Sequence, residues 1–239
     1  AESALAQINN YHKAALPLLW VIQAFTRDIE LYPYFDTTPN SPIRHPQAAT
    51  FEHQRLLPDG RNLVQVLWHI KNNYPDPYEK ILKELWRLNY NNTALQFHRT
   101  KEDQLELLFV EEELNLPTSI QQVSDGTLQN LCLLAIHFNP DRGRFICIEK
   151  PEHNLPAFGN NYVVNCMYEN SYDSTTAFLF TSNKPQLINS LRVHHIITVT
   201  KFNQNISEIE IRTEEELKTF YDDDPLSIVK MWNNGEIGG

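Results

Sequence analysis

Apolar residues between positions 128 and 136 recur with the period of an α-helix. One face follows the i, i+3, i+4, i+7 spacing and the other faces are apolar too, which predicts a largely buried helix. A polar run with the sequence SDGT, residues 124–127, precedes this helix, and Asn139-Pro140-Asp141 ends it. The face with helical spacing consists of Leu128, Leu131, Cys132 and Ala135.

Two short apolar runs predict strands in the core. The first, residues 145–148, follows the helix and ends on the carboxylate of Glu149, and the second spans residues 177–182. Continuous apolar runs are typical of strands that are buried on both faces of a parallel sheet. We therefore expect an α/β fold in which residues 145–148 and 178–181 form neighbouring parallel strands.

Upstream of these elements, the pattern predicts a helix and a long connection. Residues 3–31 have helical apolar spacing, and Pro17 is expected to kink or split the helix. Residues 32–57 contain four prolines among polar residues, which predicts a loop or lid. Connections of this length tend to be functional or mobile.

Further elements are predicted on both sides of the central helix. Apolar spacing predicts a helix over 63–70, and the Asp-Pro-x-Glu sequence from Asp76 predicts the cap of another. The other predicted elements are strands over 93–99, 104–112, 193–200 and 206–212, and helices within 157–171 and over 214–221 and 226–232.

The order of the central elements suits a phosphate ligand. The start of a helix presents unpaired backbone N–H groups and the positive end of the helix dipole, while Gly126 lets a ligand approach the backbone closely. Glu149 is predicted at the C-terminal end of a parallel strand, where α/β sheets place ligand chemistry, and a carboxylate there can orient Mg²⁺. Each segment taken alone has an alternative interpretation. The SDGT run and its helix could be an ordinary capped core helix, and residues 145–149 could be a core strand followed by a turn.

Two stretches carry a resemblance to a known family. The sequence VSDGT at 123–127 and the sequence FICIEKPE at 145–152 resemble the signature and Walker B motifs of ABC-type ATPases. The similarity is to the branch that includes SMC, RecF and OLD-type AAA ATPases, and it extends from Leu56 to Gly239. In that branch, residues 56–72 resemble the DG-x-NL helix and residues 230–239 resemble the C-terminal LW-x-x-G-x-[LI]GG sequence.

The resemblance implies a fold and an assembly. The fold is the C-terminal half of a P-loop NTPase of the ABC-ATPase type, with parallel core strands, a helical lid region and a C-terminal β-hairpin. Residues 1–118 would form the lid region with a short β excursion, and residues 119–239 would form the ATPase core. ATP and Mg²⁺ would bind between two heads of a homodimer that meet through their signature faces.

The resemblance also assigns residues to this site. Glu149 matches the acidic Walker B position that holds Mg²⁺. The signature positions that contact the nucleotide on the opposite head are Ser124, Asp125, Gly126 and Thr127. The positions that match the family's catalytic groups are Glu149, Lys150, Glu152 and Asn183.

Three departures from the family pattern bear on activity. Lys150 stands where a catalytic Glu usually polarises water, and an ammonium group cannot accept that proton. Asn183 replaces the His of the switch motif, so we expect impaired hydrolysis unless a neighbour such as Glu152 acts as the base. None of the seven glycines is followed by Lys, so the chain has no GK[ST] loop to hold phosphates. We expect that loop upstream of residue 1 or on another chain.

Composition narrows the classes of partner. The net charge of −10 argues against a general nucleic-acid binder, because phosphate contacts need clustered Lys and Arg. No apolar run approaches the length of a membrane span, and no signal-peptide pattern occurs at the start. An odd number of cysteines, three, without metal-ligand spacing indicates reduced core residues in a cytoplasmic protein.

Two functions follow from these observations. The first is an ATPase head of the ABC/SMC type with weak hydrolysis. The second is a degenerate head that serves as a scaffold or partner-binding module. A role in DNA repair or phage defence rests on analogy with the fold alone.

Overall fold

The computed structural model describes residues 17–50, 53–88, 92–111, 116–155, 162, 164–168, 175–184, 187, 196–203, 206–211, 230 and 234. The helices are α1 (Pro17–Arg27), α2 (Leu63–Asn73), α3 (Pro75–Leu88) and α4 (Asp125–Phe138). The strands are β1 (Ile29–Tyr32), β2 (Gln47–Ala48), β3 (Asn92–Arg99), β4 (Gln104–Glu111), β5 (Thr118–Ser119), β6 (Phe145–Glu149), β7 (Ala177–Thr181), β8 (Ile197–Asn203) and β9 (Ile206–Ile211).

A parallel sheet contains β6 between β1 and β7. Ile146 is opposite Glu30 of β1 and Phe178 of β7. The predicted α/β class and the predicted parallel pairing of the two apolar runs are therefore confirmed. In the last register pair Glu149 is opposite Thr181, so β6 and β7 end at the same edge of the sheet.

The first strand of this sheet was predicted as helix. Helix α1 ends at Arg27, and Ile29–Tyr32 pairs with β6, so the prediction of a helix through residue 31 is wrong. The tertiary pairing decides the conformation here, because four residues are too few to show a strand period next to a helical pattern. The predicted helical residues before Pro17 lie outside the described part of the chain.

The expectation that both faces of the central strands are buried is also wrong within the described residues. Ile146 and Ile148 are 0% and 1% exposed and share one core with α4. Leu31 and Leu179, on the flanking strands, are 62% and 41% exposed. In the described part of the chain, the face toward α4 is the one that is fully covered, and the continuous apolar run did not distinguish one face from two.

The turn before β6 fits closely against the start of β1. Asp28 binds Arg144 and Arg55, and the Arg144 hydrogen bond holds the pKa of Asp28 below its usual range. The amide of Gly143 donates to the carboxylate of Glu30. A Cβ at position 143 would overlap the backbone carbonyl of Asp28, so only glycine fits this turn.

The second sheet and two helices agree with the pattern. The predicted strands β3 and β4 pair antiparallel across a turn at residues 101–103, and β2 and β5, which were not predicted, pair with β4. Helix α2 buries the apolar positions that predicted it. Helix α3 begins at Pro75, so Asp76 lies in its first turn and is not the predicted cap.

The long connection between β1 and α2 is packed into the core. Phe35 and Ile43 are 0% exposed, and a short 3₁₀ turn at Pro42–Arg44 is its main regular element apart from β2. The predicted connection with little regular structure is confirmed. Its packing was not predicted, because isolated apolar residues between prolines carry no period.

The C-terminal part is described only in short ranges. Residues 164–168 are helical within the predicted 157–171 range, and β8 and β9 form the predicted antiparallel hairpin. The helices predicted over 214–221 and 226–232 lie outside the described residues. The division of the chain after residue 118 stays a prediction, although residues from both sides contribute to one hydrophobic core. In the described part of the chain, no helix has the length and apolar character needed to cross a membrane.

Buried His137 near the end of α4 predicts a dependence of stability on pH. It is 3% exposed, its ring packs on Phe138 and Phe178, and burial lowers its pKa from 6.5 to about 4. The folded state therefore favours the neutral ring. Its contribution is fully present above pH 6.5 and is lost as pH falls toward 4.

We expect wild-type protein to lose about 2–3 kcal/mol more of its free energy of unfolding between pH 7 and pH 4 than His137→Gln loses. Urea unfolding at a series of pH values measures this difference. The matched control is His98→Gln, because His98 is exposed, and it should retain the wild-type dependence. Parallel curves for wild-type and His137→Gln would contradict the prediction.

Candidate functional site

The SDGT run forms the capped start of α4. Ser124 is the N-cap in extended conformation, and its hydroxyl oxygen accepts a 3.1 Å hydrogen bond from the amide of Thr127. The hydroxyl groups of Ser124 and Thr127 are also 2.8 Å apart. The predicted helix start is thus confirmed. Among the described residues, the amides of Asp125 and Gly126 have no hydrogen bond, so the N-terminal turn presents two donors.

The buried side chain of Arg44 stabilises the start of α4 through hydrogen bonds. Its side chain is 5% exposed, and Nη2 lies 2.7 Å from the carboxylate of Asp125. Nη1 donates to three carbonyl oxygens in the turn that leads into α4, those of Ile120, Gln121 and Val123. The carboxylate of Asp125, predicted to bind a nucleotide, therefore already binds a buried guanidinium, which keeps it beside the helix.

The end of β6 presents two side chains of opposite charge. Glu149 and Lys150 have side chains that are 51% and 48% exposed, and Lys150 Nζ lies 3.8 Å from Glu149 Oε1. Lys150 has φ 46°, in the left-handed region that side chains seldom adopt. Its amide donates to the carbonyl oxygen of Thr181 at 2.9 Å, so the turn after β6 is fastened to the end of β7.

Glu152 differs in its environment from Glu149. It is 1% exposed, and one of its oxygens accepts a 2.7 Å hydrogen bond from the hydroxyl of Ser182. Asn183 follows Ser182 and is exposed. The structure therefore brings Lys150, Glu152 and Asn183 together at the ends of β6 and β7, with Glu152 beneath the surface and the other two on it.

The start of α4 lies at the same end of the sheet. Gln129, one turn into α4 and 0% exposed, donates from Nε2 to the carbonyl oxygen of Pro151 at 3.4 Å. Because α4 runs away from this contact and β6 returns toward it, the N-terminus of the helix and the C-terminus of the strand are adjacent. The candidate residues from both motifs therefore belong to one edge of the molecule.

Binding of Mg²⁺ at this site would require oxygen ligands beyond those that the described residues supply. Among the described residues there is no group of three or more His, Cys, Asp or Glu side chains that could hold a metal ion. Mg²⁺ is commonly bound by one or two carboxylates together with substrate phosphates and water. The exposed carboxylate of Glu149 fits that second arrangement, with phosphate oxygens and water as the remaining ligands.

Burial disfavours the reactive thiolate form of the two cysteines near the site. Cys132 on α4 and Cys147 on β6 are both free thiols, and burial raises the pKa of each. Both thiols are therefore protonated at neutral pH, and the thiolate is the reactive form. Cys132 lies in the hydrophobic core as predicted, whereas Cys147 is half-buried and lies outside that core.

Three residues that organise this edge were not predicted from the sequence: Arg44, Thr37 and Gln129. Arg44 and Thr37 lie in the proline-containing connection, which has no period. Gln129 was overlooked because its neighbours in α4 are apolar. A polar residue on a helix face that packs inward could have indicated a buried hydrogen bond.

The N-cap of α4 gives a direct test of this geometry. Ser124→Ala removes the oxygen that accepts from the Thr127 amide, so we expect a loss of about 1 kcal/mol in the free energy of unfolding. Ser124→Asp restores a capping oxygen and should remain within about 0.5 kcal/mol of wild type. Urea unfolding at pH 7 measures both values. Equal stability of the alanine and wild-type proteins would show that the cap does not hold the helix start.

Comparison with solved structures gives a distant likeness. The Smc head domain of Pyrococcus furiosus, with an extended coiled coil and bound to the C-terminal domain of ScpA, is 12% identical with a TM-score of 0.48, over 65% of this chain and 39% of that chain. The Smc head of Pyrococcus yayanosii, with a coiled coil and joint, is 14% identical with a TM-score of 0.42, over 65% and 31%. A structure from work on ATP-driven dimerization and DNA-stimulated activation of SMC ATPases is 15% identical with a TM-score of 0.40, over 63% and 94%. This chain thus spans well under half of the two Pyrococcus chains.

No curated protein matches the sequence. A family model does, over residues 6–155, and its description is "AAA domain, putative AbiEii toxin, Type IV TA system". The match begins upstream of Leu56, where the motif resemblance starts, and it includes the SDGT run and Glu149. It confirms the predicted relationship to AAA-type ATPases and supports a general ATPase-type function. Since the matched range is more than half of the 239 residues, the chain belongs to this family of AAA domains.

Proposed function

We propose that this chain supplies the signature helix and the Walker B strand of an ATP site in an ABC/SMC-like ATPase head. The observation that supports this most is the juxtaposition, at one edge, of a capped helix start at Ser124 and an exposed carboxylate at Glu149. In an ABC/SMC-like head, a helix start with free amides and a strand that ends in a carboxylate would contact nucleotide phosphates and Mg²⁺ alongside the phosphate-binding loop.

Each group has a role that its environment allows. The free amides of Asp125 and Gly126, with the positive end of the helix dipole, would donate to phosphate oxygens. Glu149 would hold Mg²⁺ that arrives with the nucleotide, and the ion would neutralise phosphate charge during transfer. The role of Thr127 is to order the helix start through its bonds to Ser124.

The proposal requires two chains or a longer chain. None of the seven glycines is followed by Lys, so the loop that cradles the phosphates has to come from elsewhere. Ser124 is exposed at the tip of α4, where a second head can reach it. A homodimer that closes through this face would place the signature of one head over the nucleotide of the other, in a reducing compartment such as the cytoplasm.

Hydrolysis in such a site is slow. Lys150 follows the Walker B carboxylate and cannot act as a base while charged, and Asn183 offers an amide without a basic nitrogen. Glu152 is the nearest alternative base, but it is buried and accepts a hydrogen bond from Ser182. These features also favour a second function, a catalytically degenerate head that binds nucleotide or a partner protein without turnover.

The first experiment separates a signature from an ordinary helix cap. Ser124→Asp keeps the cap but adds a negative charge where a phosphate would lie. We expect the full-length protein to lose at least about ten-fold in ATP-dependent self-association, measured by analytical ultracentrifugation with Mg-ATP. Gln96→Glu, which adds the same negative charge at an exposed position of β3, is the matched control. Self-association that is the same in wild type and Ser124→Asp, or no Mg-ATP binding by calorimetry, would contradict the proposal.

The second experiment tests the cause of slow hydrolysis. Lys150→Glu places a carboxylate where it can accept a proton from water, so we expect the steady-state ATPase rate of the full-length protein to rise by about ten-fold or more. Lys101→Glu makes the same charge change at an exposed position in the turn before β4 and should leave the rate unchanged. An equal rise in both variants would point to net charge, and a rate unchanged in Lys150→Glu would favour the non-catalytic function.

A further inference from the structure

A buried arginine joins the two halves of the candidate site through the connection between β1 and α2. Arg44 makes four hydrogen bonds toward the start of α4, to Asp125 and to the carbonyl oxygens at positions 120, 121 and 123. Its fifth bond runs the other way, from Nε to the carbonyl oxygen of Thr37 at 2.7 Å. The guanidinium group therefore uses all its nitrogens, on two different segments.

Thr37 continues this path to the loop after β6. Its hydroxyl oxygen accepts a 3.2 Å hydrogen bond from Nδ2 of Asn154, and Thr37 itself is 2% exposed. Three residues before it, the ring of Tyr34 packs against the ring of His153 with centroids 5.0 Å apart. Asn154 has φ 60°, so the loop holds a conformation that side chains rarely adopt at the residue that meets Thr37.

We propose that Arg44 is a positioning residue that couples the signature turn, residues 120–128, to the loop after the Walker B strand, residues 150–155. The coupling runs from Asp125 through Arg44 and Thr37 to Asn154. Its consequence for turnover rests on the function proposed above, because only in an ATP site do both segments have to be aligned at once. The coupling itself is a property of the fold and is tested separately.

The chemistry of the contact requires arginine. A planar guanidinium donates in several fixed directions, whereas a lysine ammonium has three donors on one nitrogen and cannot reach Thr37, Val123 and Asp125 together. Arg44 is 4% exposed, so carbonyl groups that lose it would be left in a site with little access to water. Arg44→Lys therefore keeps the charge and removes the connection.

The test is hydrogen–deuterium exchange on the full-length protein without nucleotide. In Arg44→Lys we expect amides in 120–128 and in 150–155 to exchange about ten-fold faster than in wild type. Arg61→Lys is the matched control, because Arg61 pairs with Asp59 on the surface with side chains 62% and 55% exposed, and it should change neither segment. Faster exchange confined to 120–128 would overturn the coupling.

A second variant decides the matter if Arg44→Lys does not fold. Thr37→Val removes the hydroxyl that accepts from Asn154 and leaves the Thr37 carbonyl for Arg44. We expect faster exchange in 150–155 and wild-type exchange in 120–128. Where Arg44→Lys folds, combining it with Thr37→Val should add nothing further to exchange in 150–155, since the link is already cut. Unchanged exchange of 150–155 in Thr37→Val, or additive effects in the double variant, would overturn the inference.

Turnover separates this inference from the proposed function. With wild-type ATPase activity present, Arg44→Lys should lower kcat by about ten-fold while KM for ATP changes by less than about three-fold, because misalignment affects the reacting geometry more than nucleotide binding. A general loss of folding would instead reduce the active fraction without changing exchange in a segment-specific way.

If wild type lacks turnover while the exchange pattern is found, the proposed function fails and the coupling stands. If wild type turns over ATP and both segments exchange normally in Thr37→Val, the coupling fails and the function stands.

Discussion

The parallel pairing of β6 with both of its neighbours determines where every candidate residue lies. Because β6 and β7 run in the same direction, the residues that follow them emerge at one edge, where the amide of Lys150 donates to the carbonyl oxygen of Thr181. The same direction brings the start of α4 back to that edge, since a helix and the strand that follows it are antiparallel. An antiparallel pairing would have sent the ends of β6 and β7 to opposite edges of the sheet.

Most of the architecture could be predicted because its signals are local. The start of α4 follows from a capping residue, and its length follows from apolar residues on all faces. The strand at 145–149 and its neighbour at 177–181 follow from apolar runs. What the sequence could not show depends on contacts between distant positions. Ile29–Tyr32 becomes a strand through its pairing with β6, and the burial of Ile146 and Ile148 depends on where α4 packs.

The candidate site was predicted in part for the same reason. Motif residues such as Ser124 and Glu149 were found because short stretches of sequence contain them. The residues that hold the motifs in place are distant in sequence from the carbonyl groups they bind. Arg44 is 76 positions from Ile120, and Gln129 is 22 positions from Pro151. The local sequence around a single arginine in a proline-containing connection does not show whether its side chain is buried with five hydrogen bonds or lies on the surface. The electrostatics also needed coordinates, because Glu149 and Glu152 are three residues apart yet one is exposed and the other buried.

The glycine turn before β6 has a consequence at the far end of that strand. Gly143 fits against the carbonyl of Asp28 with no room for a Cβ, and its amide is held by Glu30. A slip of β6 by one position along β1 would bring the side chain of Arg144 or Arg142 into this space, so only one alignment is sterically allowed. Each residue of slip would move the strand end by about 3.3 Å and turn Glu149 to the opposite face. The backbone contact at the N-terminal end of β6 thus determines both the position of Glu149 along the strand and the face of the sheet on which its side chain lies.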